Sequence, residues 1–133
     1  DSETTSPAEA ARRKPLRVIH DSYSAFSSVA VDPLRNEVVM TDENLFQVLV
    51  YDRMANTPAT AKMTEPKRAI GGVRTKVEFQ CGLYIDPQSG DIYAVNNDTV
   101  STLVIFSRLR STRSILYSRV ICLSPQSKHY YRS

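Results

Sequence analysis

The side chains best able to do chemistry lie in two polar clusters, Thr41-Asp42-Glu43-Asn44 and Asn96-Asn97-Asp98-Thr99. Oxygen donors at that density suit a hard cation such as Ca²⁺, which makes Asp42, Asn44, Asn96 and Asp98 candidate metal ligands. The same residue types also close turns by hydrogen-bonding their own backbone. The turn reading is preferred, because a full cation shell needs ligands beyond these two clusters.

Other chemistries are poorly supplied. No Ser-His-Asp spacing, Gly-rich phosphate loop or HExxH occurs, and Gly71-Gly72 reads as backbone punctuation. Cys81 and Cys122 are far apart, without CxxC pairing, and only His20 and His129 could assist them. That spacing excludes a zinc ribbon or a redox dithiol. Cys81 adjoins an apolar run and is expected to act as a small buried hydrophobe. Asn97-Asp98-Thr99 fits a glycosylation sequon, a triplet too common to fix a compartment. The expectation is therefore no catalytic residue and no cofactor.

With 133 residues, 41% of them hydrophobic and 23% charged, the chain is sized for about one domain with a real core. Its apolar runs, such as 48–51 and 103–106, fall far short of the roughly 20 residues of a spanning helix, so no membrane partner is expected. The chain opens on Asp1 with no apolar leader, which points to a fragment or processed product. The formal charge of +3 is unevenly spread: residues 1–108 carry a net −2, and residues 109–133 carry five basic side chains and no acid. Nucleic acid is therefore an unfavoured partner, since the body has no clustered basic face.

The elements that must position the polar clusters are repeated. Residues 29–40 align with residues 83–94 at an offset of 54, and residues 48–53 align with 103–108 at 55. Asp32-Pro33 and Asp86-Pro87 open equivalent turns, because Asp can cap a turn and Pro fixes φ at its second position. Four residues after each Asp stand Asn36 and Gly90, the two residue types that best accept the positive φ closing such a hairpin. The intervening runs are rich in Val, Ile, Tyr and Phe, and are too short for stable helices. Three strands per copy follow, apolar at nearly every position and hence expected to be covered on both faces. Val31, Val39, Val50, Ile85, Tyr93 and Ile105 should be largely buried. A fourth strand is expected upstream of each copy, at Lys14–Ile19 and Glu65–Gly72.

This pattern resembles the NHL repeat and its YWTD and gluconolactonase-like relatives among six-bladed β-propellers, on Val29–Asp32, Asn36, Val38–Asp42 and Val48–Arg53, with a poorer second copy bearing Asn96 in place of Asp42. The resemblance implies an all-β chain, an incomplete β-propeller of about two four-stranded antiparallel blades at 14–65 and 66–108. Before them lies a flexible N-terminal segment, 1–13, with a short helix near 8–13 as the alternative. After them comes a basic, Ser-rich tail outside the blades, 109–133. It further implies a non-enzymatic scaffold that binds a protein partner and needs oligomerisation or further blades to complete its ring. The alternative it leaves open is a Ca²⁺-dependent, gluconolactonase-like hydrolase.

Overall fold

The computed structural model describes residues 6–97, 101–108 and 118–122. Among the described residues it is mostly β, with one α-helix, α1 (Pro7–Arg12), and eight strands in two antiparallel sheets. The first sheet runs in chain order through β1 (Phe26–Asp32), β2 (Glu37–Asp42), β3 (Gln47–Asp52) and β4 (Arg68–Gly71). A short 3-10 helix, Val73–Thr75, leads to the second sheet. That sheet comprises β5 (Gln80–Ile85), β6 (Ile92–Asn96), β7 (Thr102–Phe106) and β8 (Ser118–Cys122), again in chain order.

The two sheets share one register. Val39 stands opposite Val50 in the first, and Tyr93 stands opposite Ile105 in the second. Each opening strand also carries an irregularity at the same place, between Phe26 and Ser28 and between Gln80 and Gly82. Both repeat turns close as their residue types require, with Asn36 at φ 55° and Gly90 at φ 77°. In the first turn Asp32 Oδ1 accepts the Arg35 N–H at 3.1 Å, and in the second Asp86 Oδ1 accepts the Gln88 N–H at 3.0 Å. Asp32 thus ends β1 and, with Pro33 and Asn36, frames the turn to β2, while Asp86, Pro87 and Gly90 lie in the turn between β5 and β6.

Successive side chains of a strand point to opposite faces, so the register assigns each residue to a face. Val39, Val48 and Val50 of the first sheet pack against Ile92, Ala94, Val104 and Phe106 of the second, with Val77 from the connecting segment and partly buried Ile70, Leu83 and Ile85 around them. The core is the seam between two sheets stacked face to face. β5 lies against β1 and β2 at its tightest part.

Three sequence expectations are corrected here. Coverage on both faces holds for β3, where Val48, Leu49, Val50 and Tyr51 are all buried, but not for β6 and β7, which alternate buried and half-buried residues, so Tyr93 and Ile105 are half-buried, as is Ile85. Val31 is 52% exposed, because it alternates with Ala30 and Asp32 and points away from the second sheet, while Val39 and Val50 are buried as expected. The fourth strand comes last in each sheet. Arg68–Gly71 pairs with β3, so the boundary drawn between residues 65 and 66 falls inside the first sheet. Ser118–Cys122 pairs with β7, so part of the tail drawn outside the repeat belongs to the second sheet.

Residues 14–19 form no strand, and Val18 among them is tied to a loop instead. The Val18 N–H donates to Asn56 Oδ1 at 3.1 Å and the Val18 carbonyl accepts from Thr57 N–H at 2.9 Å. His20 and Thr64 pair likewise, His20 N–H to Thr64 Oγ1 at 2.8 Å and Thr64 N–H to the His20 carbonyl at 2.6 Å. Within the segment expected to be flexible, α1 is set by a capping box: Ser6 Oγ accepts the Glu9 N–H at 3.3 Å, and Glu9 Oε2 accepts the Ser6 N–H at 3.1 Å. Pro7 at its first position supplies a helix-compatible φ and gives up no needed N–H.

Candidate functional site

Asp42 ends β2 and Asn96 ends β6, at equivalent positions of the two sheets. Asp42 Oδ1 accepts from the N–H groups of Ala25 at 3.1 Å and Asn44 at 3.0 Å. Asn96 Oδ1 accepts from the Glu78 N–H at 3.1 Å, and its amide donates to the Lys76 carbonyl and to Thr102 Oγ1, each at 2.7 Å. Both side chains therefore pin the chain that leads into the first strand of their own sheet. The main chain repeats the arrangement, Glu43 N–H to the Ala25 carbonyl and Asn97 N–H to the Phe79 carbonyl, each at 3.0 Å. Asn44 Nδ2 adds a bond to the Tyr23 carbonyl at 2.9 Å.

These residues do not converge. Asp42 alternates with Thr41 and so turns away from the second sheet, whereas Asn96 turns into the seam. Asp98 lies outside the described residues. Among the described residues no group of three His, Cys, Asp or Glu side chains could hold a metal ion. With Asp42 Oδ1 and the whole Asn96 amide committed to hydrogen bonds, these side chains do not fit the six to eight oxygens of a Ca²⁺ shell.

Near Asp42 lies a second buried group. Tyr51 is fully buried, and among the described residues neither its hydroxyl nor Asp42 Oδ2 has a hydrogen-bond partner. Burial, reinforced by the negative charges of Asp21, Asp42 and Glu65, pushes the Tyr51 phenol up to about 12.

At the opposite end of the strands the sheets are tied by charges that pattern reading missed. Glu37, 5% exposed, pairs with Lys67 at 3.0 Å and Arg68 at 2.8 Å, and lies 3.9 Å from Arg108 of the second sheet. Arg35 Nη1 holds Asp32 at 2.8 Å and also reaches the Pro87 carbonyl at 3.2 Å, while Nη2 donates to the Gln88 carbonyl at 2.7 Å. The only signal in the sequence was the placement of Arg35 and Glu37 on either side of the turn-closing Asn36.

Two surface features also went unread. Phe46 and Phe79 meet edge to face with ring centroids 5.0 Å apart, both remaining more than a third exposed, beside half-exposed Leu45. Phe46 holds φ 50°, a costly conformation for a bulky residue. Cys81 is exposed rather than buried, because it sits within the irregularity between Gln80 and Gly82 that breaks inward and outward alternation. Gly71 is the last residue of β4 and Gly72 holds φ 99° before the 3-10 helix, which is the punctuation role expected of the pair.

No protein-family model, curated protein or solved structure matches the chain.

Proposed function

We propose that the chain is a propeller-type, non-enzymatic scaffold made of two four-stranded blades, and that it binds a protein through the end of the strands where Phe46 and Phe79 meet. The carrying observation is that exposed aromatic pair, which bridges the β2–β3 turn of one sheet and the segment entering β5 of the other. Aromatic side chains held rigidly at a surface, with neighbouring apolar Leu45, are the usual anchors of protein interfaces. Supporting it, the polar side chains that could have done chemistry at this end are committed to backbone anchoring.

The test uses Phe46→Gly, which deletes one ring while suiting the positive φ, so that the fold is retained. Chain immobilised on a support should retain a protein ligand, and Phe46→Gly should lose it with an unchanged circular dichroism spectrum. Calorimetry with Ca²⁺ serves the competing hydrolase reading: tight binding abolished by Asp42→Ala and by Asn96→Ala would replace the scaffold reading with that one.

A further inference from the structure

The two sheets do not meet through equivalent faces. The first contributes the face bearing Ala30, Val39, Thr41, Val48 and Val50, whose counterparts in the second are Tyr84, Tyr93, Val95, Leu103 and Ile105. Those counterparts lie on the outer face of the second sheet. The face the second sheet brings to the seam, with Leu83, Ile85, Ile92 and Ala94, corresponds in turn to Val29, Val31, Val38 and Met40 on the outer face of the first. The junction is heterologous, head to tail, and a heterologous junction repeats until it closes or is blocked.

Both unused halves of such a junction are present and apolar. On the second sheet Tyr84 is 57% exposed and stacks edge to face on Tyr93 at 5.7 Å. On the first, Val29 and Val31 are 58% and 52% exposed on β1, the strand that the internal seam brings closest to its neighbour. The β3 part of that face, Leu49 and Tyr51, is already buried within the chain. The open part is therefore the β1–β2 half, the part a next sheet would meet first. Continuity with the internal seam thus specifies the occupant of each face: the opposite face of another such sheet.

We infer that the chain self-associates head to tail, the Tyr84–Tyr93 face of one copy packing on the Val29–Val31 face of a second copy. This rests on the propeller-type reading of the two sheets. Two or more copies would bring the sheet count to at least the four or so found in closed propellers.

The test is mass in solution by sedimentation or light scattering, with circular dichroism alongside. Wild-type chain, 15.0 kDa as a monomer, should show the mass of two or more copies. Tyr84→Arg and Val31→Arg, both at exposed positions, should each fall to the monomer mass with the β spectrum retained. Mixed in equal amounts, the two variants should form a dimer, because one intact junction remains between the unmutated face of each. Monomeric wild-type chain overturns the inference while leaving the scaffold reading intact, provided the β spectrum is present. A Val31→Arg variant that still associates overturns it in favour of a symmetric contact through Tyr84. A chain without β structure fails both readings.

Discussion

Arg68 stands opposite Val50 in the first sheet, and Arg119 stands opposite Ile105 in the second, where Val50 and Ile105 are themselves equivalent. The match continues with Ala69 and Val120 against Leu49 and Val104, and with Ile70 and Ile121 against Val48 and Leu103. The fourth strand is therefore part of the repeat, in a register as regular as that of the other three.

A chain ending at residue 108 loses β8 and leaves β7 with an unpaired edge. It is expected to be less stable than the full chain by about 1–3 kcal/mol, several ladder hydrogen bonds at roughly 0.5–1.5 kcal/mol each being partly regained from water, and to aggregate more readily. A chain ending at residue 122 keeps the strand and should have a higher urea midpoint than the chain ending at 108. Equal midpoints for all three chains would show that β8 adds nothing.

Glu37 pairs with Lys67 and Arg68 and lies 3.9 Å from Arg108 at the end of the seam. Glu37→Gln should destabilise by about 1–3 kcal/mol, at the lower end of what breaking a buried pair costs, because the bases keep partial access to water. Lys67, with its side chain 42% exposed, should matter far less, and Lys67→Ala should cost under about 1 kcal/mol. Urea unfolding of both variants checks the ranking.

Gly90 lies tight against two arginine side chains. A Cβ there would lie 2.6 Å from Arg108 Cδ and 2.8 Å from Arg35 Nε, at a φ of +77°. Gly90→Ala combines backbone strain with displacement of the guanidinium that bonds the Pro87 and Gln88 carbonyls, and should cost about 1–3 kcal/mol. Thermal unfolding should show a lower Tm. An unchanged Tm would mean that both arginines move aside freely.

Acid should weaken the fold through the two turn aspartates. Burial raises the Asp32 carboxyl, but hydrogen bonds from Arg35 and its charge outweigh this and leave it below the usual carboxylate value. Asp86 is lowered by the Gln88 N–H and the Ser89 hydroxyl. A carboxyl depressed in the folded state adds stability that is present above its unfolded value, near 3.8, and is lost as pH falls through the folded one. Urea midpoints measured downward from pH 5 should drop below about pH 4, and Asp32→Asn should flatten that drop.

Tyr51 gives the alkaline counterpart. A phenol raised to about 12 favours folding at neutral pH, and that contribution is lost as pH climbs from 10 toward the raised value. Ultraviolet titration should show the Tyr51 phenol ionising only near its raised value, together with unfolding. Because the hydroxyl has no partner among the described residues, Tyr51→Phe should leave stability unchanged or raise it by about 1 kcal/mol.

What the sequence made legible was local. Asp32-Pro33 with Asn36, and Asp86-Pro87 with Gly90, specify their hairpins by backbone demands that each residue carries in itself, and strands β1 to β3 and β5 to β7 follow from the runs between. Which face of a strand meets the neighbouring sheet is not local. Val29 and Val31 are as apolar as Val39 and Val50, and only the stacking of the second sheet separates exposed from buried. The fourth strand went unread for a related reason. Arg68-Ala69-Ile70-Gly71 and Arg119-Val120-Ile121-Cys122 match at an offset of 51, but loops of different length precede them, and the Ser and Arg content of residues 109–133 masked the second. At the candidate site, Asp42 and Asn96 occupy equivalent strand ends, but their partners, the Ala25 and Glu78 N–H groups, are backbone atoms that no side-chain pattern announces. The Phe46–Phe79 pair joins residues from different sheets and was equally invisible.

Every strand pairs only with its neighbours in chain order, so each sheet is a meander built entirely from short-range connections. During synthesis the first sheet needs nothing beyond Gly71 to form all its strand pairs, since β4 ends there. The seam face of Val39, Val48 and Val50 then remains open until β5, β6 and β7 follow. The nascent chain thus passes through an interval with a complete sheet and an uncovered greasy surface.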